Sequence, residues 1–161
     1  PPPAPTPAPT PAPDAQANLL PNPGFESDPA ADYETSGPGT FSWAADAFYD
    51  GAWSLKLVSN GNPVSRLLSK ARSIAAVPGA TYEAQAYLTA SELAGQATLV
   101  LTFWTTDGQV STKSAPLAGT GGWTPLSVTA TAPANARYVG VEIRVNGAGT
   151  VWTDALRLVQ V

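Results

Sequence analysis

Six side chains of this sequence have the most to offer chemically: Trp104 and Tyr87, with Glu83, Gln85, Glu142 and Arg144. An indole or phenol ring offers an apolar face on which the axial C–H groups of a sugar ring can stack. Carboxylate, amide and guanidinium groups can meanwhile exchange hydrogen bonds with the sugar's hydroxyls. Trp43, within FSWAADAF, is a further candidate wall of such a cleft. Other chemistries are closed by composition. Without histidine there is no Ser-His-Asp triad, imidazole base or His-ligated zinc, and without cysteine there is no disulfide or thiol chemistry. Glu83 and Glu142 could in principle supply the two acids, ~5–10 Å apart, that glycoside hydrolysis uses. No other catalytic signal accompanies them, so binding is expected and enzyme activity is not.

The elements that must carry these residues are strands. Short apolar alternations recur at residues 54–59 (SLKLVS), 81–89 (TYEAQAYLT), 97–105 (ATLVLTFWT), 125–130, 138–146 (YVGVEIRVN) and 151–159. Turn-forming clusters separate them at 36–39, 60–63, 78–79, 107–108 and 119–122. The one helix-compatible piece, residues 90–95, is too short to stand alone. The pattern predicts an all-β fold, a two-sheet antiparallel β-sandwich of jelly-roll type.

Because side chains alternate along a strand, each run separates an inward from an outward set. Leu99, Leu101 and Phe103 point one way and Val100, Thr102 and Trp104 the other. Val139, Val141, Ile143 and Val145 point inward, leaving Glu142 and Arg144 outside. Tyr82, Ala84, Ala86 and Leu88 suit the core, with Glu83, Gln85 and Tyr87 outward. If the three strands are neighbours, their outward sets merge into one sugar-binding face. On that reading Trp104 is dispensable for stability. Trp53, Trp123 and Trp152 are expected to be packing residues.

Composition sets the wider frame. Residues 1–17 (PPPAPTPAPTPAPDAQA) form a Pro/Thr/Ala-rich linker, expected as extended polyproline II, and residues 18–161 form the module. Thr6 and Thr10 are plausible O-glycosylation positions. Charged residues make up only 12% of the chain and the net charge is −4, which argues against a nucleic-acid partner. No apolar run approaches the ~20 residues of a membrane span. The absence of a leader suggests a mature or excised piece, and the composition suggests an extracellular, secreted or cell-surface protein.

With the strands in place, the order of motifs resembles that of carbohydrate-binding modules of families 4 and 9, and their relatives in families 16 and 22. The carrying pieces are NLLPNPGFE at 18–26, YDGAWSLKL at 49–57, VPGATYEAQAY at 77–87, and the ending from GWTPLSVTATAP at 122–133 to VWTDALRL at 151–158. Tyr49-Asp50 stands where the family has His-Ser, and Thr153-Asp154-Ala155 where many members carry paired Asp. The resemblance implies a jelly roll with a sugar cleft on one sheet. It also implies a structural calcium tying the N-terminal segment to the last strand through Glu26 and Asp154, to which Asp50 could add a third carboxylate.

The expected function is therefore non-catalytic polysaccharide or oligosaccharide binding within a multimodular protein, next to a tethered catalytic domain. The alternative is an extracellular structural module that self-assembles into a filament or surface layer through the tail or a sheet edge.

Overall fold

A computed structural model describes residues 16–70, 72–117 and 121–161. The expected polyproline II tail, with Thr6 and Thr10, lies outside these residues, as do 119 and 120 of the glycine turn. Among the described residues, eight strands follow a 3-10 turn at Pro29–Ala31. They are β1 (Tyr33–Ser36), β2 (Thr40–Ala44), β3 (Ser54–Ser69), β4 (Ile74–Ala75), β5 (Thr81–Trp104), β6 (Gln109–Pro116), β7 (Thr124–Thr131) and β8 (Tyr138–Gln160). Every pairing among them is antiparallel. The all-β expectation holds.

Three of these strands are too long for one layer. A straight strand would separate Tyr82 from Phe103, both in β5, by about 70 Å. Their ring centroids are instead 5.9 Å apart, so β5 doubles back on itself. β3 and β8 double back with it. One layer runs β2, β3 (54–60), β8 (150–160), β5 (81–90), β7; the other runs β1, β3 (65–69), β8 (138–146), β5 (97–104), β6, with β4 beside the start of β8. The inward side chains of both layers form one core. Leu55, Leu57, Ala86, Leu88, Val151 and Leu158 come from the first, and Leu67, Leu99, Leu101, Phe103, Val141 and Ile143 from the second.

Sequence dictates where the doubling occurs. Gly61, Gly147 and Gly95 stand opposite one another across β3, β8 and β5. All three have positive φ, a region that side chains disfavour. A methyl on Gly147 would lie 2.1 Å from the carbonyl oxygen of Ala94, and one on Gly95 would lie 2.0 Å from that of Asn146. At Gly95 and Gly147 the β5 and β8 backbones approach to a separation only glycine permits. Residues 90–95, helix-compatible by composition, are therefore the corner of β5, where the register also shifts between Ser91 and Ala94. The runs at 81–89 and 97–105 are two halves of one strand, as are 138–146 and 151–159.

A contrast between two glycines tests this account. Gly61 has φ +116° and nothing within 4 Å of an added methyl, whereas Gly147 is blocked by backbone. Gly61→Ala should cost about 1–2 kcal/mol from backbone strain alone. Gly147→Ala should cost at least ~3 kcal/mol in urea unfolding, because the strands must separate to admit the methyl.

Candidate functional site

The outward face of the first layer carries aromatic rings in a row. On β8, Trp152 lies between the inward Val151 and Thr153; across the sheet it pairs with Lys56 on one side and Thr89 on the other. Tyr87 lies outward one step along β5. The loop from 45 to 53 folds over this face and lays Tyr49 flat on Tyr87, with ring centroids 3.6 Å apart and planes 12° from parallel. Trp123, at the approach to β7, meets Tyr49 edge-on at 6.1 Å. The Tyr87 hydroxyl holds Tyr49 above the usual phenol range, so its ring stays neutral at physiological pH.

Polar groups frame the row at both ends. Asp46 accepts from the Trp152 indole N–H at 3.0 Å and from the Lys56 ammonium at 2.5 Å. The Lys56 nitrogen lies 5.1 Å from the centre of the indole ring. Lys56, and then Trp152, keep the Asp46 carboxyl below the ordinary carboxylate range. At the other end Gln85 donates to Glu83 at 2.5 Å, and Arg157 lies 3.6 Å from the same carboxylate oxygen. Tyr49 is 45% exposed, and Tyr87, Trp123 and Trp152 are each half-buried. The arrangement offers accessible ring faces flanked by amide, carboxylate and cationic groups.

Two carboxylates hold the loop that delivers Tyr49. Asp154, fully buried, shares the outward alternation of Trp152 and pairs in register with Tyr87, and a register shift with Ala155 at φ +48° follows it. Its Oδ2 accepts from the amides of Tyr49 (2.8 Å) and Asp50 (3.0 Å), and its Oδ1 from that of Ala155 (2.6 Å). Glu26 accepts from Ala52 (3.0 Å) and Trp53 (3.1 Å) at the loop's other end. Burial pushes the Asp154 carboxyl up; the three amides oppose that shift, and the charge of Glu26 adds to it.

Calcium was expected at these residues, and the fit is partial. Glu26 and Asp154 both flank Gly24, and Glu26 and Asp50 line a cavity of ≈ 320 Å³. No group of three or more acidic side chains converges among the described residues.

The other expected site residues lie elsewhere. Trp104, Glu142 and Arg144 are on the outward face of the second layer, with the core between them and Tyr87, Gln85 and Glu83. The expected single face is thus corrected. Outward sets read as neighbours belong to two halves of folded-over strands and point in opposite directions. Glu83 and Glu142 accordingly cannot flank one bond. Trp104 is only 7% exposed. Its ring lies over Gly140, where an added methyl would be 2.8 Å from the indole. Truncating Trp104 would therefore cost stability, contrary to the sequence expectation.

Glu142, 3% exposed, accepts from Arg144 Nε at 2.7 Å. Trp43 stands apart from both faces. It sits opposite the inward Leu55 on the edge strand β2, tilts against Trp53 at 4.3 Å, and donates to the carbonyl of Phe25 at 2.6 Å. Tyr49, Trp123 and Trp152 were not singled out from sequence. Trp123 and Trp152 were expected to be packing residues; the alternation of VWT at 151–153 could have set Trp152 outward, but no periodicity reaches Tyr49 in its loop.

No protein-family model matches the chain, and no curated protein matches it. Solved structures do. The enzymatically active domain of tailspike protein 4 from bacteriophage CBA120 is similar at 12% identity and a TM-score of 0.75, covering 89% of this chain, which spans 21% of that one. A family 16 carbohydrate-binding module is similar at 19% identity and a TM-score of 0.70, with 88% of this chain and 99% of that one covered. The CBM22-1 xylan-binding domain of Paenibacillus barcinonensis Xyn10C is similar at 13% identity and a TM-score of 0.68, covering 93% and 98%. At these identities the likeness establishes the fold, which is that of β-sandwich carbohydrate-binding modules.

The carboxylate clamp makes a direct prediction. Asp154→Ala leaves three amides without their acceptor and should lower stability by about 2–3 kcal/mol at pH 7. It should also weaken the near-UV circular dichroism of the stacked Tyr49–Tyr87 pair. An unchanged tyrosine signal would show that the loop holds Tyr49 without Asp154.

Proposed function

We propose that the chain is a non-catalytic polysaccharide-binding module of the family 4/9 type. In this reading its sugar lies along the outward face of the first layer, across Trp152, the Tyr49–Tyr87 pair and Trp123. The observation that carries the reading is the accessibility of these rings. A buried indole such as Trp104 offers no free face, whereas the exposed ring of Tyr49 does, with the half-buried Trp123 and Trp152 beside it. Glu83, Gln85 and Arg157 on one side, and Asp46 with Lys56 on the other, supply donors and acceptors for the hydroxyls of successive sugar units. Two of the similar structures are carbohydrate-binding modules, one named as xylan-binding, and this supports the class of ligand.

Such contacts give modest affinity per sugar, since each exposed hydroxyl exchanges one water partner for a protein one. The gain comes from tethering. A linker of the composition at 1–17 would join the module to a catalytic domain and raise the local concentration of its polymeric substrate. Secretion to the extracellular space accords with this role. Filament formation, the alternative drawn from the sequence, gains no support.

The proposal extends to calcium. Glu26 and Asp154 would hold the ion with backbone carbonyls of the adjoining turns; Asp50 lines the same cavity as Glu26 but does not converge with both carboxylates. A cation there would offset the burial and the Glu26 charge that now raise the Asp154 carboxyl. It would stabilise the loop that carries Tyr49 without touching the sugar.

Two measurements test these readings. In affinity electrophoresis through gels containing neutral polysaccharides, xylan among them, Trp123→Ala and Tyr49→Ala should each weaken retention roughly ten-fold, about 1.4 kcal/mol, with melting temperature nearly unchanged. Retention equal to the parent's in both variants would remove this face from the site. Separately, millimolar calcium added after chelation should raise the melting temperature by at least about 4 °C. No shift would mean that the carboxylate clamp works without a metal.

A further inference from the structure

The outward face of the second layer breaks a rule of sheet design. Arg66 on β3 and Arg144 on β8 are directly opposite in register, which sets their Cβ atoms only about 5 Å apart on one face. Like charges so placed destabilise a sheet. The chain has only eight lysines and arginines in all and a net charge of −4, so this juxtaposition is not a by-product of a basic surface. Such local conflicts concentrate where a protein binds something.

The two guanidinium groups are incompletely neutralised. Glu142 engages Arg144 through Nε alone, which leaves its two terminal nitrogens without an acceptor among the described residues. Arg66, exposed beside it, pairs with no carboxylate among those residues. Glu142 is itself buried, and its second oxygen has only a long contact, 3.4 Å, from the Thr102 hydroxyl. It fixes the plane of Arg144 and still has acceptor capacity.

Next to this pair the face sinks into a groove of ≈ 230 Å³. Its walls are Gln96, Thr98, Ser114, Asn146 and Arg144, and its apolar lining is Val64 and Val100. Short neutral donors and acceptors beside methyl groups suit a sugar ring, and the Arg144 fork in the groove wall, with Arg66 its register partner on the adjoining strand, suits a planar carboxylate. We propose that this groove is a second saccharide site, selective for a unit bearing a carboxylate, that is, a uronic acid within a polysaccharide. It goes beyond the aromatic-face reading and lies on the opposite side of the molecule from it.

Affinity electrophoresis in gels containing polygalacturonate tests this, with the neutral-polysaccharide gels as reference and a dextran sulfate gel as a third arm. The parent should be retarded by polygalacturonate, and less so as salt rises. Arg66→Gln, an exposed change that leaves Glu142 paired, should weaken that retardation roughly ten-fold while neutral retention stays at the parent's level. Arg144→Lys keeps the charge but loses the fork, and should fall between the two. Arg144→Gln would strand a buried carboxylate and is not diagnostic, so Arg66→Gln decides.

Absence of retardation by polygalacturonate, or retardation of Arg66→Gln equal to the parent's, would overturn the proposal. So would retardation by dextran sulfate alone, which would mean a site for sulfate esters. Failure of neutral retention would sink the aromatic-face reading and leave the polygalacturonate comparison intact.

Discussion

The close approach of the β5 and β8 backbones at Gly95 and Gly147, with Gly61 of β3 in register beside them, is the constraint on which the rest of this molecule depends. A side chain at the two tighter positions would hold the strands apart, and β3, β5 and β8 would then run on as a flat ribbon with one apolar face in water. Folded at that line, the same strands supply both layers, and their inward sides meet without disulfides to staple them. The corner also decides what can be neighbours. Residues seventeen apart on one strand, such as Tyr87 and Trp104, end on opposite surfaces. Residues twenty-one apart, such as Tyr82 and Phe103, touch.

A second level of organisation rests on charge. Asp154 and Glu26 spend their acceptor capacity on backbone amides of one loop, and that loop places Tyr49 on Tyr87. The aromatic row is thus assembled from a strand, a loop and the approach to another strand, and two buried or shielded carboxylates keep the loop member in place. Burial makes ionisation of Asp154 unfavourable relative to a free carboxyl, and the three amides recover part of that cost. The same pair of residues that resembles a calcium site therefore already performs, through hydrogen bonds, the task of joining the N-terminal segment to the last strand.

Much of the fold was legible in the chain. Period-two alternation identified β7, both halves of β5 and β8 and the first half of β3, and there it separated core from surface: Leu99, Leu101 and Phe103 are buried, and Tyr87 and Gln85 face out. It missed β6 and residues 65–69 of β3, and it read 60–63, which lie within β3, as a turn. The connection between stretches was not legible. Residues 90–95 carry helix formers and a glycine, and nothing local announces that the strand continues through them around a corner. That single omission merged two opposite surfaces into one expected face. It placed Trp104, Glu142 and Arg144 beside Tyr87 when the core lies between them. Trp152 could have been assigned outward by the same alternation that served elsewhere, whereas Tyr49 depends on a hydrogen bond to a residue 105 positions away, which no periodicity encodes.

Continuity of strands through both layers also bears on how the module comes apart. In a sandwich assembled from separate strands, one sheet can fray while the other persists. Here each layer borrows the middle of its sheet from the same three segments as the other, so loosening either one withdraws the ladder from its counterpart. The amide protons of both layers should therefore exchange with solvent through a common global opening. A protease that waits for exposed backbone would meet this chain either intact or wholly unfolded.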